Sequence, residues 1–312
     1  MYTSRKIDDN SYPDIQQLLK ESFGINRSVD AIKEKYATEG FGLKNIGIIA
    51  KNGTSAPAAY YGVFPMTLQY AGKDYMIAQS GDTMTAPNHR KKGLFTRLAK
   101  ETYELCKQSG IQMVFGFPNE NSYPGFERKL DWVFTGRMQK FTIKTNAIPL
   151  CQLAQRFGFL KSIYTWYFSK IIRPYRINHK FENLEGFQSA TARGQIKKDE
   201  NFFDYKLNRE NTAFIQYNGF KMLIKARTHL IIGDVAHFEK SKTKFFLAAV
   251  RKLAKIVGSK KVLFTVSKNH WLFDYLNDVL EFEESLPIGF YIIDPGLDPK
   301  EIQFTHADYD TF

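Results

Sequence analysis

Between residues 79 and 132, an alternating stretch stops at a proline. A turn rich in cations and glycine and then an amphipathic helix follow, and this succession leaves few folds open. The alternation from Tyr75 to Thr85 predicts a strand that ends at Pro87. The turn is His89-Arg90-Lys91-Lys92-Gly93. The spacing beyond it predicts a helix with Leu94, Leu98, Tyr103 and Leu105 on one face and Lys100, Glu101, Glu104 and Lys107 on the other. Gly110 ends that helix, and Ile111 to Phe117 reads as a second, mostly apolar strand. A helix N-terminus carries unpaired N–H groups and a partial positive charge, so a turn of this composition is prepared to hold phosphate.

In that setting Arg90-Lys91-Lys92-Gly93-Leu94-Phe95 resembles the Arg/Gln-x-x-Gly-x-Gly/Ala signature of the GNAT superfamily of acyl-CoA-dependent N-acyltransferases. Pro87 before the Arg and Asn121 after the next strand stand where that family has them. Lys129-Leu130-Asp131-Trp132 is similar to its Lys-Leu-Gly-Phe ending. The resemblance implies acetyl-CoA as acyl donor. The loop amides of Arg90, Lys91, Lys92, Gly93, Leu94 and Phe95 would lie on the pyrophosphate, and Met84, Thr85 and Ala86 along the pantetheine arm and thioester. Asn121 is a further cofactor-side candidate. The sequence departs from the family at Phe95, where Gly or Ala is usual, and at Asp131, where Gly is usual. Phe95 is expected to reshape the wall near the phosphates.

A chain of 312 residues has room for about two domains. The formal charge of +12 favours anionic partners. No long Lys/Arg block and no nucleic-acid-binding motif is present, so no nucleic acid is expected as partner. Two cysteines, Cys106 and Cys151, set no disulfide framework and suit a reducing cytoplasm. The opening residues MYTSRKIDDN lack a signal-peptide core, and no stretch approaches the ~18 apolar residues of a membrane span. A cytoplasmic location is therefore expected. The six histidines show no metal-ligand spacing, and no metal is expected; His89 reads as part of the anion loop or as solvated surface.

In chain order, Arg5-Lys6-Ile7 reads as a first strand, Ser11 with Pro13 as the start of a helix, and Ser28 as the cap of a second. Strands at Ile46 to Ala50 and Ala58 to Tyr70 flank a turn at Asn52-Gly53. The expected class is α/β (α+β): a GNAT fold whose mixed, mostly antiparallel sheet has flanking helices, followed by a second, degenerate GNAT-like domain. The divisions are residues 1–147, a helical connector 148–180, and residues 181–312. Trp132 to Ile143 is expected to complete the first domain and Phe290 to Ile293 to close the second. The connector interleaves Phe157, Phe159, Leu160, Ile163, Tyr164, Trp166, Tyr167, Phe168, Ile171 and Ile172 with Lys161, Lys170, Arg173 and Arg176. It is expected to be buried between domains, a membrane-surface helix being the alternative. Before the second domain's long helix stands Ala236-His237-Phe238-Glu239-Lys240-Ser241. This segment has no glycine to let amides approach a pyrophosphate, so that domain is read as shaping the acceptor side.

N-acyl transfer needs an amine, a thioester carbonyl held beside it, and a proton for the departing thiolate. By resemblance the acid would be a Tyr on the helix after Phe117, where this chain has Phe126-Glu127; Tyr123 is the nearest phenol. For the base the candidates are Asp82, Glu120 and, as in some tandem GNAT acyltransferases, the carboxylate of the last residue, Phe312. The expected partner is a small-molecule amine, with a nucleotide-linked amino sugar suggested by the charge and the aromatic content. A non-catalytic CoA-binding module and a membrane-surface enzyme acting on a lipid-linked acceptor are the alternatives.

Overall fold

The computed structural model describes residues 1–53 and 56–312. In chain order it runs β1 (Tyr2–Lys6), α1 (Tyr12–Phe23), α2 (Val29–Tyr36), β2 (Gly47–Asn52), β3 (Ala56–Tyr70) and β4 (Lys73–Thr85). Then come α3 (Leu94–Gln108), β5 (Met113–Gly116), α4 (Tyr123–Lys129), β6 (Val133–Lys144), α5 (Leu150–Arg156) and α6 (Leu160–Ile172). The second half holds α7 (Phe181–Leu184), β7 (Gly194–Ile196), α8 (Glu200–Leu207), β8 (Thr212–Tyr217), β9 (Phe220–Ala226) and β10 (Leu230–Val235). It ends with α9 (Thr243–Val257), β11 (Lys261–Ser267), α10 (Trp271–Asn277), β12 (Phe282–Ile292) and β13 (Ile302–Gln303). Two compact units result: Met1–Gly136 with Leu286–Lys300, and Arg137–Ser285 with Glu301–Phe312.

In the first unit the strand order is β1-β2-β3-β4-β5-β12, antiparallel except for the parallel pair β4/β5. Alternate residues of β3 feed two cores, so the strand is apolar from Pro57 to Met66. Tyr60 and Phe64 join Ile15, Leu18 and Ile32 of α1 and α2. Tyr61 and Val63 join Leu94, Leu98 and Cys106 of α3 on the other face. Burial pushes the Cys106 thiol up to about 12, so it packs as a small hydrophobe. Ser28 caps α2 by accepting the Ala31 N–H at 3.2 Å. Ser11 does not cap α1. Its hydroxyl donates to Asp8 Oδ1 (2.7 Å) and accepts the Asp8 N–H (3.0 Å), closing the turn before the helix.

In the second unit the order is β6-β11-β10-β9-β8, with β10 and β11 parallel. Helices α6, α9 and α10 supply its core through Tyr164, Phe168, Leu253, Val257 and Phe273. Tyr164 and Tyr167 hydroxyls donate to the Val257 and Ile256 carbonyls (3.0 and 2.7 Å), satisfying otherwise orphaned groups at the C-terminus of α9.

Two strands differ from the sequence expectation in their partners. From Met138 to Lys144, β6 pairs with β11 of the second unit, from Ser267↔Met138 to Lys261↔Lys144. From Gly289 to Ile292, β12 pairs with β5 of the first. Each unit thus takes one strand from the other half of the chain. Both strands carry the same alternation, which fixes a buried face and not a neighbour.

Candidate functional site

The site begins with a fault in the pairing of β3 and β4. Tyr60 faces Met84 and Gly62 faces Gly81, so Asp82 and Thr83 together oppose Tyr61. Asp82 takes φ +53°, in the left-handed region. Such a bulge bends and twists its strand. The parallel pairing of β4 with β5 spans only Ile77–Gln79 against Met113–Phe115. Beyond Gln79 these two strands part. The β5-facing edge of β4, through Met84 and Thr85 to Ala86, therefore borders an opening in the sheet.

Asp82 is fixed from below. The Lys35 ammonium donates to Oδ1 at 2.7 Å and the Tyr36 hydroxyl to Oδ2 at 3.2 Å. Burial, with the neighbouring Tyr60 and Asp82, holds the Tyr36 phenol well above its usual range, so it acts as a donor. The carboxylate of the base candidate is thus engaged on both oxygens.

At the end of β4 the chain enters the cationic turn. Lys91 and Gly93 take φ of +61° and +74°. The Arg90 guanidinium folds back to donate to the Thr85 carbonyl at 3.3 Å. The N–H of Arg97 donates to the Gly93 carbonyl at 3.1 Å, the first bond of α3, so the amides of Gly93, Leu94, Phe95 and Thr96 precede the helical ladder. No acidic residue lies in the first turn of α3, and a side chain added at Gly93 would meet nothing within 4 Å. Lys92 sits 5.9 Å from the Tyr2 ring centroid, and Tyr2 OH pairs with His89 Nδ1 at 2.8 Å, bracing the turn against β1. Free amides, positive charge and open space in front of a glycine fit a diphosphate.

Phe95 turns inward. Its ring packs 5.3 Å from Phe126 and 6.1 Å from Tyr61, and a Cβ at Gly125 would come within 2.9 Å of it. The bulk at a position usually small is therefore matched by a glycine on α4. Tyr123, the acid candidate, donates to Glu127 Oε1 at 2.6 Å, with its ring 4.5 Å from Phe134. Asn121 is exposed and its N–H donates to Asn119 Oδ1 at 3.0 Å.

A buried hydrogen-bond chain escaped the sequence reading. Ser80 Oγ donates to Tyr61 OH (2.9 Å), Tyr61 OH shares a bond with Tyr103 OH (2.9 Å), and Trp132 Nε1 donates to Tyr103 OH (2.8 Å). Burial keeps both phenols far above their usual range and hence neutral. A Cβ on Gly116 would touch Trp132 at 3.2 Å and Ser80 at 3.5 Å, which places this chain at the end of β5 where the strands part. In the sequence Tyr61 reads only as part of a strand, Tyr103 as part of a helix face and Trp132 as part of the family-like ending.

The second unit repeats the geometry and fills it. Strand β10 shifts register between Ile232 and Asp234, at Gly233, and its pairing with β11 runs only through Ile232↔Phe264. The C-terminal segment occupies the gap. Thr305 bridges Val266, Ser267 N–H donates to the Phe304 carbonyl (2.9 Å), and the Phe312 ring lies directly over Gly233. Phe312 is buried, as are Lys198, which pairs with Asp308, and Lys206, which donates to the Tyr309 carbonyl at 2.7 Å. Lys225 donates to the Thr311 carbonyl at 3.1 Å. The tail is folded, and Phe312 belongs to a different unit from Asp82 and Tyr123.

Among the described residues no group of three or more His, Cys, Asp or Glu could hold a metal ion, and no helix is long and apolar enough to cross a membrane.

Residues 3–135 match the family described as an acetyltransferase (GNAT) domain. No curated protein matches the sequence significantly. Among solved structures, a GCN5-related N-acetyltransferase from Kribbella flavida superposes with a TM-score of 0.60 at 14% identity, over 94% of this chain and 71% of that one. One from Anabaena variabilis gives 0.57 at 14%, over 94% and 73%. Saccharomyces cerevisiae N-myristoyltransferase with bound myristoyl-CoA gives 0.58 at 14%, over 96% and 86%. At such identities the likeness is one of fold. Residues 3–135 thus match the GNAT acetyltransferase domain model, and the fold of the chain agrees with that match.

Proposed function

We propose that this chain is an N-acyltransferase whose acyl donor is acetyl-CoA and whose acceptor is a primary amine. The observation that carries the reading is the parting of β4 from β5 directly before the Gly93 turn. It puts an unpaired strand edge and a helix N-terminus in line, as a pantetheine arm leading to a diphosphate requires. On this reading the amides of residues 91–96, with Lys91, Lys92 and Arg90, hold the pyrophosphate. The edge at Met84, Thr85 and Ala86 lies along the pantetheine; the Ala86 N–H donates to the Ala58 carbonyl (3.0 Å), so the Thr85 N–H is the one assigned to the thioester oxygen as charge develops there. Asn121 is assigned to the cofactor side of the same cleft. The amine nitrogen attacks the carbonyl carbon, the C–N bond forms, the C–S bond breaks, and one proton leaves the nitrogen while another reaches the thiolate. Tyr123 is assigned the second proton. Asp82, of the same unit, is assigned the first.

The acceptor we infer is an amine on an anionic scaffold, such as a nucleotide-linked amino sugar, in keeping with the +12 charge. The test is release of free thiol from acetyl-CoA over a panel of amines and amino sugars. Release with an anionic amino sugar supports the reading, and silence across the panel overturns it. One observation favours a second reading, a CoA-binding module without turnover: Tyr123 already donates to Glu127. That reading expects acetyl-CoA binding with no thiol release by any amine.

A further inference from the structure

Helix α6 carries apolar side chains on two opposite faces, and only one of these faces is covered. Tyr164, Phe168 and Ile172 are buried in the second unit's core. On the opposite side Phe159, at the N-cap, and Ile163 and Trp166 are 77%, 59% and 63% exposed. Spacings of four, three, four and three residues continue this line through Lys170 and Arg173, both exposed. Phe157, 41% exposed, extends the apolar end, its ring 6.1 Å from that of Phe159. An apolar stripe that ends in cations and covers nothing in the fold is the arrangement of an interfacial helix.

The stretch of sequence that carries it is one-sided in charge, the carboxylate against the helix being Glu210, which accepts from Thr165 at 3.0 Å. From residue 132 to residue 181 the sequence contains no Asp or Glu at all, while it carries Arg137, Lys140, Lys144, Arg156, Lys161, Lys170, Arg173, Arg176 and Lys180. Of the cations next to the apolar stripe, Lys161 pairs with Glu210 at 2.8 Å. Among the described residues Arg156, Lys170 and Arg173 form no ion pair, and Arg156 stacks on Phe157. Aromatic side chains suited to the headgroup boundary, beside unpaired cations and away from any carboxylate in that stretch, match an anionic bilayer better than a mixed-charge protein surface.

The geometry points to α6 as a docking face for anionic membranes. Phe159, Ile163 and Trp166 enter the headgroup boundary, and Lys170 and Arg173 lie against anionic headgroups. The inference stands apart from the acyl-transfer reading, since it uses no residue of the first unit.

The test is flotation of the full chain with vesicles of phosphatidylcholine, with and without phosphatidylglycerol, read alongside tryptophan emission. Trp132 is buried and Trp271 half-buried, so Trp166 is the indole whose emission shifts to the blue on insertion. Flotation with the anionic vesicles only, with a blue shift, is expected. It should fall at least about tenfold in Phe159→Ser/Trp166→Ser, and comparably in Lys170→Glu/Arg173→Glu. Both variants change exposed side chains, and unchanged thermal unfolding would confirm that they fold. No flotation on anionic vesicles at low salt would overturn the proposal, as would equal flotation of both variants. A concentration-dependent dimer that Trp166→Ser disperses, with no vesicle binding, would overturn it too and assign the face to a second copy.

Discussion

The Lys35 ammonium lies 2.7 Å from Asp82, and Asp82 is the residue at which β4 bulges away from regular pairing. A helix outside the anion loop thereby holds the strand edge on which the proposed donor site depends. The two side chains are 3% and 12% exposed, so neither charge is shared freely with water.

Replacing Lys35 with Ala strands a largely buried carboxylate, a change that typically costs about 3–5 kcal/mol. Lys35→Ala should lower the urea midpoint and weaken acetyl-CoA binding together. Lys35→Met with Asp82→Asn should recover most of the stability. If the single variant unfolds at the wild-type midpoint, the bulge is held by other means.

Phe95 and Gly125 form a size-matched pair. Gly125→Ala puts a Cβ within 2.9 Å of the Phe95 ring, and overpacking of this kind costs about 1–3 kcal/mol. Adding Phe95→Ala should return part of that loss, a coupling that a double-mutant cycle measures. Additive effects would contradict the pairing.

The tail rests on Gly233. Any side chain there meets the Phe312 ring, so Gly233→Ala should expel the tail and expose the amides of residues 304–312 to hydrogen exchange. Removal of Phe312 leaves a buried cavity worth about 3–5 kcal/mol by the usual cost of truncating a buried Phe. Unchanged exchange in Gly233→Ala would refute this packing. A tail whose loss costs stability without affecting turnover would remove Phe312 from the list of bases.

Acid should destabilise the second unit. His270 and His306 are pushed down to about 3, chiefly by burial, then by Lys198 and His237 for the first and by Lys225 and Lys206 for the second. The unfolded chain protonates them near 6.5, so their stabilisation is complete above about pH 6.5 and is lost as pH falls towards 3. Asp234 acts in the opposite sense. Pushed up to about 7, chiefly by burial, it keeps a proton that the unfolded chain releases near 4, so its contribution falls as pH rises from about 4 to 7. Two histidines against one carboxylate leave a net loss on acidification. The urea midpoint should drop between pH 6.5 and 4.5, and His306→Asn should flatten that slope. A midpoint that rises on acidification would contradict the assignment.

The core of the first unit was legible because its signals are local. Alternation ended at Pro87, a glycine took the left-handed turn, and the helical period placed Leu94 and Leu98 inward. What the sequence hid depends on partners distant in the chain. Nothing in residues 133–144 or 282–292 tells which strand each will flank. Asp82 reads from the sequence as a base candidate on a regular strand, and neither the bulge nor its pairing with Lys35, on another element, shows there. The burial of the acidic tail does not show in the sequence because Lys198, Lys206 and Lys225, which bond to it, lie 86 to 110 residues away. The Ser80–Tyr61–Tyr103–Trp132 chain likewise exists only once β3, β4 and α3 are assembled.

The most direct test of the donor site is calorimetric titration of acetyl-CoA into the wild-type chain and into Gly93→Asp. Aspartate is one of the few residues that visit the left-handed backbone, at a cost of about 1 kcal/mol, and the space in front of Gly93 is open, so the variant should fold with a slightly lowered unfolding midpoint. Its carboxylate would occupy the proposed pyrophosphate position. Saturable binding by the wild type with a loss of at least about tenfold in the variant is the expected result. Equal affinities would place acetyl-CoA elsewhere, and no binding by the wild type would reduce the kinship with acyltransferases to one of fold.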